Sequence, residues 1–321
     1  MTNYGYTLLS EQSGPRALVA DAARAEQAGF DFAVISDHYS PWLEEQGHSP
    51  YAWSVLGAVA QATERMALMS FVTCPIRRYH PAVVAQKAAT MALLSQGRFT
   101  LGLGAGENLN EHVAGAWPPV SQRHDMFTEA LEIIQGLLDG DAVSFTGEYY
   151  EVGQARLFDL PEERVPTAVA VSGPESCALA AEYADGMIAT EPDRDLVDQF
   201  EASGGNGRRY GQAAICYGPD EQECRRLVRE QFRWSPLGWK ARAELPNPAS
   251  FAAATETVDE DDVAASVSCG PDLDRHLRAV AAYREAGFTD IAVIQVGGDG
   301  QERFLDWARS EFLPALRELD G

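Results

Sequence analysis

Short apolar runs alternate with helix-period stretches from one end of the chain to the other. The runs Tyr4–Leu9, Phe32–Ser36, Met66–Val72, Phe99–Leu103, Thr167–Val171, Gly186–Ala189, Gln212–Cys216 and Asp290–Val296 predict strands. Where clearest they are apolar on both faces, as parallel strands covered by helices are. Helices are predicted between them at Pro15–Ala28, Pro50–Ala62, Pro81–Leu94, Arg123–Leu138, Pro174–Ala184, Asp193–Phe200, Glu221–Phe232 and Asp272–Ala286. Proline near four of the starts, and Gly29, Gly97 and Gly287 after helix ends, follow the usual start and stop asymmetry. Eight strands alternating with eight helices predict an α/β fold of the (β/α)8 TIM-barrel type. Gln301–Leu319 would be an extra terminal helix, and a doubly wound open sheet is the competing arrangement.

One barrel domain is expected over residues 1–321, with insertions near 140–163 and 233–262. The first contains "FTGEYYEV", which reads as a small hairpin; the second is rich in Pro, Ala and acids and reads as an excursion over one barrel face. No internal repeat is evident.

Charge narrows the function classes. The chain carries 48 acidic and 25 Lys or Arg residues, a net charge of −23, and only Lys87 and Lys240 are lysines. Such a field repels nucleic acid and anionic membranes. The five cysteines are odd in number and lack CxxC or metal-like spacing, so free thiols in a cytoplasmic protein are expected. No signal peptide is expected of "MTNYGYTLLSEQ", and no apolar run approaches the ~20 residues of a membrane span. A small-molecule substrate is the partner expected.

Barrel chemistry sits at the carboxyl ends of the strands. Those ends carry Ser10-Glu11-Gln12, then Asp37, His38 and Trp42, then Thr73-Cys74-Pro75 with Arg77-Arg78-Tyr79-His80. Further along come "GLGAGENLNEH" with Glu107, Asn110, Glu111 and His112, then Ser172-Gly173-Pro174, Thr190-Glu191, Gln295 and Gly297-Gly298. A lone His38 would read as a turn anchor through Asp37. The company of Glu11, Trp42 and Glu107 at the same rim shifts the reading to chemistry. Trp42 is either a plug or a flat wall for a planar ring. Glu107 and Glu111, four apart, share a helical face, and one of them alternatively caps the helix or pairs with arginine. Glycines 102, 104 and 106 do not have GxGxxG spacing; they permit close approach of backbone to a ligand. Ser172-Gly173-Pro174 leads into a helix whose N-terminus suits a phosphate, or is a plain tight turn. Arg77–His80 either holds an anionic tail or forms salt bridges.

Taken together, "SDHYSPW", "TCPIRRYHPAVVAQKAATM", "GRFTLGLGAGENLNEH" and "GAWPP" resemble the F420-dependent glucose-6-phosphate dehydrogenase group of the bacterial luciferase-like superfamily. The resemblance covers almost the whole chain and is strongest over Tyr4–Gly186. It implies a TIM barrel with insertions, a homodimer, and a deazaflavin, coenzyme F420, bound at the carboxyl face. Hydride would pass between an alcohol or hemiacetal carbon and C5 of the deazaflavin. On the matching positions, His38 is implied as the base, Glu107 as the acid that protonates the reduced ring, Trp42 as the aromatic near the reacting centre, and Glu11 as a further pocket acid. Asp37, Phe71, Val72, Asn110 and the segment Ala170, Val171, Ser172, Gly173 match cofactor contacts, besides His38 and Glu107 themselves. Substrate contacts are implied for Glu11, Trp42 and Thr190. A cis peptide is implied between Phe71 and Val72.

The departures bear on substrate. A lysine expected after the sixth strand is replaced by Thr190-Glu191-Pro192-Asp193, and neither Pro248–Glu256 nor Val263–Cys269 has a basic residue. Acids there repel a phosphate dianion, so an unphosphorylated sugar, another alcohol or ketone, or an unsaturated carbonyl compound is expected. Arg194, Lys240 and Arg242 are the cations left to rescue an anion site. Two other functions stay open: an FMN-dependent monooxygenase of the same superfamily, and a barrel that binds cofactor without turnover. No metal site is expected.

Overall fold

The structure, a computed structural model, describes residues 2–319; Met1, Asp320 and Gly321 lie outside the described residues. Among the described residues eleven strands are formed: β1 (Asn3–Leu8), β2 (Phe32–Ile35), β3 (Ala67–Ser70), β4 (Phe99–Leu103), β5 (Val143–Thr146), β6 (Glu151–Ala155), β7 (Thr167–Ala170), β8 (Gly186–Ala189), β9 (Arg208–Tyr217), β10 (Ser268–Gly270) and β11 (Asp290–Gln295). β1, β2, β3, β4, β7, β8, β9 and β11 pair in parallel in that order, and β11 returns to β1 with Tyr4 opposite Ile291. Closure through β11 and β1 makes a barrel and excludes the open sheet.

Each barrel strand is short and two-sided. One face packs outward on helices, where Tyr4, Tyr6, Leu8, Ala33, Ile35 and Leu68 join the main core. The other face fills the barrel with Phe32, Val34, Met69, Phe71, Ala168, Ile188, Tyr210 and Ala292. A third apolar cluster lies under the 233–262 excursion and includes Leu9, Trp42, Phe232, Trp234, Phe251, Val263 and Val296.

The helices at Pro15–Ala28, Pro81–Leu94 and Glu221–Phe232 occupy the bounds that periodicity predicts. The expected hairpin is present as β5 and β6, antiparallel, with Phe145 opposite Val152. The excursion resolves into short helices at Trp239–Glu244, Pro248–Ala254 and Glu260–Ala264. The second and third begin at side-chain caps: Asn247 accepts from the Ser250 amide, and Asp259 from those of Asp261 and Asp262.

Besides the short strand β10, which no apolar run predicts, two features depart from expectation. β9 is ten residues long, because its polar first half, Arg208–Gly211, pairs with β8 while its end pairs with β10. The terminal helix is interrupted by a wide π turn at Ala308–Phe312. Pro314 follows directly and has no N–H to continue the ladder, which accounts for the widening.

Candidate active site

β1 and β2 are neighbours in register, with Leu8 opposite Ile35, so the residues just beyond them emerge side by side. Glu11 and His38 meet there, the His38 Nδ1 lying 2.6 Å from Glu11 Oε1. On its other side, His38 Nε2 lies 3.5 Å from Glu107 Oε2, beyond β4. The imidazole thus stands between two carboxylates. Ser36 Oγ donates to Glu11 Oε1 at 2.9 Å and fixes that carboxylate from β2. Glu11 is buried, whereas Glu107 keeps about a third of its side-chain surface open (32%).

The electrostatics follow from this placement. Burial disfavours the His38 cation, but the charges of Glu11 and Glu107 and the contact with Glu11 outweigh it and raise its pKa above 6.5. Burial would likewise raise Glu11, yet the His38 charge and hydrogen bonds from His38 and Ser36 hold it below the usual carboxylate value. Glu107 goes the other way: burial lifts its pKa despite the opposing charges of His38 and Arg242. One carboxylate stays ionised against the imidazole while the other is poised to carry a proton, the divergence that acid–base work requires.

A buried polar network supports these groups from behind. The Asp37 carboxylate accepts from Trp53 Nε1 at 3.0 Å, Thr73 Oγ1 at 2.9 Å and Tyr79 OH at 3.1 Å. Arg78 bridges Asp37 to Glu111, its Nε 2.9 Å from Glu111 Oε1. The Lys87 ammonium lies 3.2 Å from the Tyr79 ring centre, within a cage completed by Tyr51 and Trp53. Asn110 accepts from the Tyr39 amide at 2.9 Å and donates to Glu107 Oε2 at 3.2 Å, tying the β2 and β4 loops together.

This network decides between readings that the sequence leaves open. Arg78 is an internal salt-bridge partner rather than a holder of an anionic tail, and His80 caps the helix it precedes. Asp37 and Asn110, implied as cofactor contacts, are buried, and their side-chain oxygens accept from donors within the protein. Glu111 pairs with Arg78 rather than sharing the mouth with Glu107. The glycines of "GLGAG" also have a packing reason. A Cβ on Gly102 would stand 2.0 Å from the Ser70 carbonyl, one on Gly104 2.7 Å from Val72 Cγ2, and one on Gly106 2.4 Å from Cys74 Sγ.

The remaining expected residues lie at the same rim. Phe71 and Val72 are joined by a cis peptide. Val72 and Ala170 stay part-exposed where they cap the barrel interior, and Val171 is buried beside them. At Ser172–Gly173 both amides donate to Ser176 Oγ, at 2.9 and 3.2 Å, so an anion there must displace that hydroxyl. The space over Gly173 is open, with no atom within 4 Å of a built Cβ. Thr190 exposes its side chain while its carbonyl accepts from Tyr283 OH at 2.8 Å. Trp42 packs its edge against His38 at 5.1 Å, but one face is stacked on Trp234 at 4.3 Å. It is therefore a buttress of the imidazole with little free surface, not an open wall.

Sequence reasoning missed Trp234 and Phe251, which complete this aromatic cluster from the excursion. The apolar cluster "FRW" at the excursion's start was the available signal. Arg242 reaches the mouth, pairing with Glu191 at 3.1 Å, whereas Arg194 pairs with Asp198 on its own helix. Among the described residues, no group of His, Cys, Asp and Glu is placed to hold a metal ion, and no helix is long and apolar enough to cross a membrane.

Comparisons with known proteins show the family to which the chain belongs. The F420-dependent glucose-6-phosphate dehydrogenase of Beutenbergia cavernae is 35% identical, over 99% of this chain and 98% of its own. The F420-dependent hydroxymycolic acid dehydrogenase of Mycobacterium tuberculosis is 36% identical, over 98% of this chain and 88% of its own. A solved F420-dependent secondary alcohol dehydrogenase, in complex with an F420-acetone adduct, has a TM-score of 0.89 at 27% identity and covers 98% of this chain and 99% of its own. The model of the luciferase-like monooxygenase family matches residues 2–290, and the chain belongs to that family.

Proposed function

We propose that the protein is an F420-dependent oxidoreductase that moves a hydride between a CH–OH carbon and C5 of the deazaflavin. The carrying observation is the imidazole of His38 held between Glu11 and Glu107 at the barrel mouth. Relatives named as F420-dependent dehydrogenases of a sugar phosphate, a hydroxymycolic acid and a secondary alcohol support the cofactor and the reaction class.

The residues fit a planar ring carrying hydrogen-bonding edges. Glu107 receives only one long hydrogen bond, from Asn110, and His38 Nε2 is too far from Glu107 for a full one. Both groups therefore have capacity left for a ligand. Val72 and Ala170 offer an apolar floor, and the open space over Gly173 leaves room for a tail. When bound, oxidised F420 supplies a two-electron hydride acceptor. His38, steadied at Nδ1 by Glu11, takes the hydroxyl proton at Nε2 as the carbonyl forms; in the reverse direction the same group returns it. Trp42 keeps water and ring motion away from the imidazole. Glu191 and Asp193 near the mouth argue for an unphosphorylated substrate.

Fluorescence titration with F420, followed by alcohol-dependent loss of the oxidised chromophore, tests the reading. His38→Ala should lower turnover ~10²-fold or more with F420 affinity kept; unchanged turnover refutes the assignment. FMN binding with oxygen consumption, and no response to F420, would instead favour the monooxygenase chemistry for which the family is named. The protein is further read as a cytoplasmic homodimer. Five buried free thiols support the compartment, and exposed Val83, Leu93 and Leu94 on the helix Pro81–Leu94 support self-association.

A further inference from the structure

We propose that Arg242 is a specificity-determining residue that receives a carboxylate on the substrate, and that Glu191 holds its place until the substrate arrives. The inference rests on the dehydrogenase reading above and names its substrate class: a hydroxy acid and the matching keto acid, each carrying a single negative charge.

Arg242 belongs to the short helix Trp239–Glu244 of the excursion. Glu244 anchors the end of that helix to the opposite side of the mouth. Its carboxylate accepts from Trp117 Nε1 at 3.1 Å and from Arg123 Nη2 at 2.9 Å, and its carbonyl accepts from Asn108 Nδ2 at 2.9 Å. The helix is thereby fixed beside Glu107, which follows β4. Arg242 lies 5.8 Å over the Trp234 ring, Trp234 stacks on Trp42, and Trp42 abuts His38. A relay of packed rings thus leads from the guanidinium to the reacting imidazole.

Four other cations are engaged elsewhere. Arg78 is enclosed by Asp37 and Glu111, Lys87 by aromatic rings, Arg194 by Asp198, and Lys240 extends along exposed Trp239. Arg242 differs in the asymmetry of its pairing. Its own side chain is 14% exposed, but its partner Glu191 is 68% exposed and comes from the loop after β8. A largely buried guanidinium held by a solvent-facing carboxylate can exchange that carboxylate for another of the same geometry, in the two-pronged mode arginine favours. One guanidinium among Glu191, Glu107 and Glu11 suits one negative charge and disfavours a dianion. No redox step beyond the proposed hydride and proton transfer is needed.

The test pairs each methyl-ketone acid, from pyruvate through acetoacetate to levulinate, with its methyl ester, which keeps the shape and removes the charge. Binding to the full chain, with and without F420, is measured by calorimetry, and reduction is measured with reduced F420. At least one acid should bind tighter than its ester, and Arg242→Met should lower the acid-to-ester ratio of kcat/KM roughly 30-fold or more. Arg242→Lys should restore part of that ratio, and Glu191→Gln should raise it. Esters binding as well as acids throughout the series would overturn the proposal, as would equal losses for both in Arg242→Met. A weakened F420 affinity in Arg242→Met, with the ratio intact, would move the residue to the cofactor and also overturn it. Arg242-dependent acid binding without any F420 turnover would sustain the anion site while refuting the dehydrogenase reading.

Discussion

Replacing Glu11 by Gln keeps the size of a buried side chain and removes the charge 2.6 Å from His38 Nδ1. That charge is the leading influence holding the imidazole pKa above 6.5 against burial. Loss of an opposite charge at this range shifts a titration by about 1–3 pH units, or about 1.4–4 kcal/mol at 1.36 kcal/mol per unit. Glu107 remains at 3.5 Å and retains part of the effect. On the proposed mechanism alcohol oxidation requires neutral His38, so its rate should rise with pH through the His38 titration. In Glu11→Gln this rise should move to lower pH by about 1–3 pH units. On the plateau a weaker base lowers kcat by about 3- to 30-fold if half of the free-energy difference is felt in the transition state. Ketone reduction requires the imidazolium, so its fall with rising pH should move in the same direction. The assay is chromophore loss or gain with a secondary alcohol or its ketone across pH 4.5 to 9, with F420 affinity measured at each pH. A limb that stays fixed, or moves upward, would refute the electrostatic account of the Glu11–His38 pair.

Other outcomes follow from the same geometry. The Glu11 pKa is depressed, so its contribution to stability is present above pH ~4.5 and lost as pH falls through the folded value; that of His38 is present below ~6.5 and lost as pH rises through its raised value. The difference in Tm between the wild type and Glu11→Gln should therefore be greatest between about pH 4.5 and 6.5, as calorimetry would show. Arg78→Met leaves the fully buried carboxylates of Asp37 and Glu111 without their cation and should cost about 3–5 kcal/mol. Thermal melts should fall by about 5–8 °C, and a change below 1 °C would show that the network adds nothing. Gly102→Ala places a Cβ against the Ser70 carbonyl and should destabilise by about 3 kcal/mol, read from denaturant midpoints; a neutral outcome would mean that β3 and β4 can separate freely.

The barrel was legible because its strands are local signals. Runs such as Phe32–Ile35 and Asp290–Gln295 are apolar on both faces and are bounded by turn residues. β10 was not legible, since "SCG" has no pattern of its own and becomes a strand only by pairing Cys269 with Cys216 across more than fifty residues. The convergence of Glu11, His38 and Glu107 was reached from their shared position past strand ends together with family resemblance. Their supports were not: whether Arg78 meets a ligand or Glu111 depends on a contact between loops 33 residues apart, which spacing alone leaves undecided. The same holds for Trp42, whose free face is taken by Trp234 from a segment with no periodicity linking the two.

The anchoring of the Trp239–Glu244 helix by Glu244 has a corollary for substrate choice. The groups assigned to proton handling follow the first, second and fourth barrel strands, whereas the helix that carries Arg242 lies in one contiguous excursion fastened at a few polar points. On the proposed function, changes in that excursion would therefore alter which molecule is accepted without disturbing the proton-handling groups beneath.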